Sequence, residues 1–233
     1  MTELIKSLQI KGFRVLSELS IAPLGRVNLI TGKNNAGKSS LLEAIRILVT
    51  GGALRTLIDI LNYREELGLP GETERTYLPT DLAPFCNLFS GFPDLASSKP
   101  GFSVAAEGEL PASMARIAAN IGWFVRIADS ERLGFSYKPA SADLFGGEDA
   151  FPALDLTIGG RQRIVPLERF QQRRSPMRAE ADSAPLPCVY LDPFSSRSTS
   201  QMGALWDAIA LTDVEPEIVK ALQIVSRDIQ AVS

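Results

Sequence analysis

Hydrophobic positions near the start of the chain predict three short strands. The apolar residues of Leu4–Ile10 suggest a first strand that Gly12 interrupts, and those of Val15–Ile21 suggest a second one. The third run, Val27–Ile30, has three apolar residues in four and is typical of a strand buried on both faces. From Lys38 onward the apolar residues instead recur every three or four positions, which predicts a helix. The order is therefore strand, glycine-containing loop and helix.

Beyond Gly51-Gly52 the pattern alternates between helix, irregular segments and strands. Residues 53–67 predict a helix, and 68–101 are rich in Pro, Gly, Ser and Thr, with a short apolar element at 82–89. The expected elements after this segment are strands at 102–109 and 123–128, a helix at 112–121, a hairpin turning at Gly159-Gly160, a short strand at 187–191, and helices at 201–211 and 214–225. The second half of the chain thus changes from β structure to helices.

Composition and charge exclude several classes of protein. The chain has 233 residues and a formal net charge of −3. The chain as a whole is therefore not a polycation of the kind that binds nucleic acid. No segment has the pattern of a signal peptide or a membrane span, which predicts a cytoplasmic protein without a membrane partner. Cys86 and Cys188 stand far apart and histidine is absent, which excludes the usual zinc spacings and any histidine-based triad.

The loop before the first helix carries a complete phosphate-binding motif. Gly32, Gly37, Lys38 and Ser39 match the pattern Gly-x-x-x-x-Gly-Lys-Ser/Thr. Glycines allow the backbone to curl with its N–H groups towards an anion, at the positive end of the helix dipole. Lys38 would bridge the β- and γ-phosphates and Ser39 would coordinate Mg²⁺. The predicted nucleotide site comprises Gly32, Lys33, Asn34, Asn35, Ala36, Gly37, Lys38, Ser39 and Ser40, with ATP and Mg²⁺ as the cofactors.

Several stretches around this motif resemble a known family. The N-terminal sequence LIKSLQIKGFRVLSEL, followed by VNLITGKNNAGKSSLLEAIRIL, is similar to the ABC-type ATPases of the SMC, RecF and OLD group. Closest are bacterial AAA-type ATPases related to OLD, several of which act in phage defence. The stretches PCVYLDPFSSRS and LWDAIALTDVEPEIVKALQIVSRDI resemble the region where such proteins pass into a helical lobe. Together these segments cover under half of the chain.

The resemblance implies a fold and a division of the chain. The fold would be α/β, with a P-loop core of mixed sheet and the antiparallel β flank of ABC-type heads. Residues 1–50 would hold the first strands, the P-loop and its helix, and 51–101 a helical and irregular insertion. Residues 102–192 would form a β-rich region, and 193–233 would begin the helical lobe.

The family's later motifs are absent from this sequence. We find no signature segment, no apolar run ending in Asp-Glu and no switch histidine. We therefore expect the chain to be the N-terminal part of a longer ATPase, an incomplete head that binds ATP without turning it over. Hydrolysis would need the missing motifs and a homodimer of ATPase heads. The resemblance implies that the whole protein would act in DNA repair or other DNA transactions, or in phage defence with a partner nuclease.

The sequence leaves two alternatives open. Asp192 follows the apolar run 188–191, as a Walker B aspartate would, so the chain could be a complete small P-loop NTPase or switch. In the resembled family this position instead begins the loop between the lobes, which is the interpretation that we favour. The other alternative is a scaffold that nucleotide only stabilises.

Arginines supply two further candidate contacts. Arg14 follows the first strand, and in the resembled family an arginine there can approach the phosphates, although a surface arginine at a strand end is the simpler interpretation. The stretch RQRIVPLERFQQRRSPMR has six arginines and one glutamate, so Arg173, Arg174 and Arg178 could contact a DNA backbone. A solvated loop explains the same charges.

Overall fold

The structure is a computed structural model of the chain. It describes residues 4–66, 83–93, 100–129, 134–140 and 150–167, and, beyond these, residues 186, 188–191, 203, 206–207, 209–210, 212 and 214–226. The chain divides into two compact units, Met1–Cys188 and Val189–Ser233. No helix in the described ranges is both long and apolar enough to cross a membrane.

The first unit is built on one antiparallel sheet. Its strands are β1 (Ser7–Phe13), β2 (Leu16–Ile21), β3 (Gly101–Glu107), β4 (Arg116–Asp129), β5 (Gly134–Pro139), β6 (Ala150–Ile158) and β7 (Arg161–Pro166). The strand order is β2-β1-β3-β4-β6-β7, and β5 also pairs with β4. β4 is long enough, at 14 residues, to pair with β3 along its first part and with β5 along its last. The predicted antiparallel β region is therefore present.

Helices cover one face of this sheet. They are α1 (Lys38–Val49), α2 (Leu54–Tyr63) and the short α3 (Ala83–Cys86). Alternate residues of the strands point to these helices, and together they form a single apolar core that includes Ile10, Val104, Ile117, Leu48 and Leu57. Each of these five side chains is fully or almost fully buried. This core fixes α1, and with it the loop that precedes α1, to the sheet.

The described residues of the second unit include the helix α4 (Glu215–Val225). The prediction of a helix at 214–225 is confirmed. Glu215, Pro216 and Glu217 lie in its first turn, where acidic side chains favour the positive end of the helix dipole and proline needs no N–H partner. The helix expected at 201–211 falls mostly outside the described residues.

Two predicted elements are wrong. Instead of a helix at 112–121, the chain forms a 3₁₀ turn at Ala112–Met114 and enters β4 at Arg116. Ile117, Ala119 and Ile121 are buried on the helix-covered face while the residues between them are not, so a period of two decides the structure there. The strand expected at 187–191 is also not formed, since the described residues Cys188–Leu191 have no strand conformation.

The strand expected at Val27–Ile30 is the third error, and it concerns the segment that enters the loop. Val27 is 92% exposed and Leu29 is 90% exposed, although both are apolar. Within the described ranges this segment pairs with no strand. β2 pairs only with β1, and the segment does not join the open edge of β2. The mixed sheet that we expected for a P-loop core is therefore not seen in the described part of the chain.

Candidate phosphate-binding loop

The loop between the exposed segment and α1 turns sharply just before the helix. Gly37 is the residue that precedes α1, and its φ of +91° lies in the left-handed region. Asn35 also has a positive φ, +62°, which asparagine tolerates better than most residues. Ala36 N–H donates to the Lys33 carbonyl over 3.3 Å. These features bring the backbone from an extended path into the first turn of α1 within a few residues.

The start of α1 presents unpaired backbone donors. Leu41 N–H donates to the Gly37 carbonyl at 2.9 Å, which makes it the first amide of the helix with an i→i−4 partner. The N–H groups of Lys38, Ser39 and Ser40 precede this bond, no side chain caps the helix, and its first turn has no acidic residue. Such a helix end carries a partial positive charge and is suited to an anion.

The Lys38 side chain folds back over the loop. Its ammonium group donates to the carbonyls of Gly32 and Lys33, each at 2.7 Å. A full positive charge therefore lies beside the carbonyls at the beginning of the loop, close in sequence to the amides at the helix start. A phosphate that entered the loop could exchange with these carbonyls as the partner of Lys38.

The two serines after Lys38 have different surroundings. Ser39 is exposed, so its hydroxyl can reach a metal ion that a nucleotide brings with it. Ser40 is only 4% exposed and packs on the inner side of the helix. The described residues contain no cluster of three or more His, Cys, Asp or Glu side chains that could hold a metal by themselves. Ser39 fits the role of a single protein ligand to nucleotide-bound Mg²⁺, which needs few direct protein ligands.

The turn between β1 and β2 supports the loop from behind. A Cβ atom placed on Gly37 would lie 2.8 Å from Leu16 Cδ2 and 3.0 Å from Val15 Cγ2. The backbone of the loop therefore approaches this turn more closely than a residue with a side chain would allow. Gly37 is needed here for both its backbone angle and its lack of a Cβ.

Arg14, which begins the same turn, lies in a buried cluster of charges. Its guanidinium donates from Nη1 and Nη2 to the two carboxylate oxygens of Glu66, at 2.8 and 3.0 Å. Arg14 Nε lies 2.7 Å from Glu43 Oε2 in a buried ion pair whose geometry does not make a hydrogen bond. Arg64 donates from Nε to the other oxygen of Glu43 at 2.9 Å. The cluster joins the turn to α1 through Glu43 and to the end of α2 through Arg64 and Glu66.

Burial has a clear effect on Glu43, whose side chain is 3% exposed. Loss of hydration raises the pKa of this carboxyl, and the nearby guanidinium groups of Arg14 and Arg64 oppose that increase. On balance, the pKa of Glu43 is raised. The charged form of Glu43 is thus retained at a cost that its two arginine partners offset only in part.

The structure brings some of the predicted site residues together and leaves others outside its described part. Gly32–Ser40 form one continuous loop and helix start, and their role as a nucleotide site stays a prediction. The predicted approach of Arg14 to phosphates stays a prediction. The simpler interpretation, a surface arginine, is wrong, because Arg14 is 4% exposed and its side chain contacts two carboxylates. Asp192 and the basic residues Arg173, Arg174 and Arg178 lie outside the described residues.

Sequence reasoning missed the carboxylate partners of Arg14. A signal was available for Glu43, because it lies on the face of α1 that also carries Ser40, Ala44 and Ile47, all of them buried. A charged residue on a buried helix face requires a partner. The sequence could not show that this partner is Arg14.

Comparison with known proteins gives a family match within the first third of the chain and partial matches to several relatives. Residues 7–75 match the AAA domain family, and this stretch contains β1, β2, the loop, α1 and α2. The DNA replication and repair protein RecF of Thioalkalivibrio sulfidiphilus is 43% identical over 53 residues, which are 23% of this chain and 15% of that protein. An ATP/GTP phosphatase of Helicobacter pylori is 38% identical over 64 residues, which are 28% of this chain and 17% of that protein.

An uncharacterized protein of Methanocaldococcus jannaschii is 47% identical over 47 residues, which are 20% of this chain and 22% of that protein. The matched parts therefore span less than a quarter of each of these three relatives. They confirm the coarser part of the predicted resemblance, which is partial homology to AAA-domain ATPases and to RecF. A sheet-dominated α/β structure with an AAA-domain match is consistent with a P-loop NTPase fold.

Proposed function

We propose that the chain binds ATP·Mg²⁺ at Gly32–Ser40. The observation that carries this proposal is the position of the Lys38 ammonium, which lies over the carbonyls of Gly32 and Lys33 beside an uncapped helix start. A cation and a set of backbone donors converge on a loop that has no acidic residue of its own. Triphosphate is the ligand that this combination suits best.

Each residue of the loop has a separate task in this proposal. The N–H groups at the start of α1 bind phosphate oxygens, and Lys38 leaves its two carbonyl partners to contact the β- and γ-phosphates. Ser39 coordinates Mg²⁺ through its hydroxyl oxygen, and the Mg²⁺ ion neutralises charge on the phosphates. Gly37 keeps the helix start close to the ligand because no side chain intervenes.

Hydrolysis requires more than the loop itself provides. Phosphoryl transfer to water needs a group that orients the water and a charge that stabilises the transferring phosphoryl group. Glu43, the only carboxylate of α1, is buried against Arg14 and Arg64 and so is not available for that task. We propose that turnover depends on further motifs and on a homodimer of ATPase heads, in which ATP binding drives closure.

The biological role follows from similarity alone. Part of the chain is similar to DNA replication and repair proteins, and this similarity supports a role in DNA transactions. Its resemblance to OLD-related ATPases supports an alternative role in phage defence with a partner nuclease. DNA contact through Arg173, Arg174 and Arg178 belongs to the same proposal, and charge reversal at these positions should flatten the salt dependence of DNA binding.

Calorimetric titration with ATP·Mg²⁺ tests the binding proposal. Lys38→Ala should weaken binding at least tenfold, because it removes the ammonium that pairs with the phosphates. Lys33→Ala is the matched control: it deletes the same charge from the same loop, but only the backbone of Lys33 contacts Lys38. Equal losses in the two variants would reduce the effect to general electrostatics. An unchanged affinity in Lys38→Ala would overturn the proposal.

A phosphate-release assay on this chain distinguishes the ATPase-head proposal from the small NTPase. We expect ATP binding without steady turnover, and Asp192→Ala should leave the affinity for ATP·Mg²⁺ nearly unchanged. Turnover on the order of one per second or more, abolished by Asp192→Ala, would favour the complete small NTPase. Turnover by an extended gene product, but not by this chain, would separate the ATPase head from a nucleotide-stabilised scaffold.

A further inference from the structure

We propose that Arg14 is a positioning residue for the phosphate-binding loop: its guanidinium, clamped by Glu43 and Glu66, fixes the β1–β2 turn against Gly37. This inference rests on the proposed function for its consequence on ATP, but its structural part can be tested without nucleotide. It gives Arg14 a role behind the loop, different from a direct contact with phosphate.

Contacts from several sides hold Arg14 in place. Glu66 accepts two hydrogen bonds from its terminal nitrogens, and Glu43 pairs with Nε from the side of α1. The Arg14 backbone N–H also donates to the Leu88 carbonyl at 3.1 Å, after α3. Arg14 itself has a φ of +52°, a left-handed conformation that a side chain disfavours. The buried ion pairs and the backbone bond stabilise a turn that the local backbone alone would not prefer.

The turn that Arg14 begins lies against the loop. Val15 and Leu16 follow Arg14 directly, and their side chains are the nearest groups that a Cβ atom on Gly37 would meet. Gly37 is in turn the residue whose carbonyl accepts the first helical hydrogen bond of α1. A shift of the turn would therefore move the helix start, where the phosphate-binding N–H groups lie.

Loss of Glu66 should change ATP affinity in opposite directions for a phosphate-binding Arg14 and for a positioning Arg14. Arg14 is 4% exposed, and all three of its guanidinium nitrogens contact carboxylates. If Arg14 bound phosphate, loss of Glu66 would release it and leave ATP affinity unchanged or higher. If Arg14 is a positioning residue, loss of Glu66 loosens the turn and lowers ATP affinity. Glu66→Gln thus gives opposite results for the two roles.

The test compares Glu66→Gln, Arg14→Lys and their combination with a control on the same hairpin. Glu18→Gln is that control, because Glu18 lies on the same hairpin and makes an exposed ion pair with Lys11 at 2.8 Å. We expect a three- to tenfold loss of ATP affinity in Glu66→Gln, a similar loss in Arg14→Lys, and little further loss in the double variant, since both act through one contact. Glu18→Gln should bind ATP as the parent chain does.

The structural part is measured without nucleotide, by two-dimensional ¹H–¹⁵N NMR. The Gly37 amide resonance should move in Glu66→Gln and in Arg14→Lys, and should stay in place in Glu18→Gln. If Arg14→Lys fails to fold, Glu66→Gln alone decides the question, because Glu66 is the more exposed partner, at 14%. An unmoved Gly37 resonance, or a raised ATP affinity in Glu66→Gln, would overturn the inference. If the parent chain does not bind ATP, the proposed function fails while the NMR result still stands.

Discussion

Replacement of Gly37 by alanine tests how closely the β1–β2 turn supports the loop. The new methyl group would meet Leu16 Cδ2 at 2.8 Å and Val15 Cγ2 at 3.0 Å, and the backbone would have to keep a φ of +91°. Two costs therefore arise together. One is the strain of a left-handed alanine and the other is the overlap with the turn.

The structure separates the sizes of these costs. The left-handed conformation costs an alanine about 1–2 kcal/mol. Overlap in a packed region typically costs about 1–3 kcal/mol, and we expect the low end, about 1 kcal/mol, because Leu16 Cδ2 is the end of a side chain that can rotate. The summed loss in the free energy of unfolding is about 2–3 kcal/mol, a large part of the roughly 5–15 kcal/mol of a typical protein.

Gly160→Ala is the matched control for the strain. Gly160 has a φ of +81°, close to that of Gly37, and a Cβ there would meet no atom within 4 Å. Urea unfolding of both variants should therefore show Gly37→Ala to be less stable than Gly160→Ala by about 1 kcal/mol, the overlap term. ATP affinity should fall at least tenfold in Gly37→Ala and stay unchanged in Gly160→Ala.

Equal unfolding free energies and equal ATP affinities for the two variants would refute this reasoning. A further check is Leu16→Ala combined with Gly37→Ala. The smaller side chain should relieve the overlap, so the double variant should lose less stability than the sum of the two single variants. Simple additivity would mean that the turn and the loop do not contact each other in solution.

Three further predictions follow from other parts of the structure. Leu48 is fully buried and Leu29 is 90% exposed. Leu48→Ala should therefore lower the free energy of unfolding by about 2–5 kcal/mol, and Leu29→Ala should lower it by less than about 0.5 kcal/mol. Similar losses in the two variants would mean that Val27–Ile30 is buried in a sheet. Burial raises the pKa of the Glu43 carboxyl above its usual 4.5, so the folded chain binds a proton at this carboxyl more tightly than the unfolded chain does. The free energy of unfolding that this group contributes is therefore lost as pH rises from 4.5 through the raised pKa. Glu43→Gln should remove that part of the slope in urea unfolding curves taken across this pH range, and an unchanged slope would contradict the assignment. Ser39→Ala should weaken ATP binding in the presence of Mg²⁺ and have much less effect when the metal is chelated; the same loss in both conditions would exclude Ser39 as a metal ligand.

The loop motif was predictable from sequence because its residues are adjacent. Gly32, Gly37 and Lys38 are constrained by local backbone geometry and by one helix end, and the structure forms that turn and that helix start. The hairpin at Gly159-Gly160 is confirmed for the same reason, since two glycines with positive φ set the register of β6 and β7. Local rules suffice where the interacting groups are neighbours in sequence.

Sequence reasoning failed where distant residues decide the structure. The segment Val27–Ile30 has the composition of a buried strand, but Val27 and Leu29 are exposed and the segment pairs with no described strand. Composition alone does not determine whether an apolar segment joins a sheet. Residues 112–121 contain enough alanine and isoleucine for a helix, but pairing with β3 and β6 extends them instead. The Arg14 cluster joins residues up to 52 positions apart in sequence, and no local pattern encodes such a contact.

The central claim is that ATP·Mg²⁺ binds at Gly32–Ser40, and an NMR titration of the ¹⁵N-labelled chain tests it most directly. As ATP·Mg²⁺ is added, the backbone amide resonances of Gly32–Ser40 should shift most, with those of Lys38, Ser39 and Ser40 among the largest, because their N–H groups bind the phosphates. The amide resonances of β6 and β7, which lie at the opposite end of the strand order from β2, should stay in place. Saturating ATP·Mg²⁺ that leaves the Gly32–Ser40 resonances unmoved, or that shifts a different set of amides, would contradict the account.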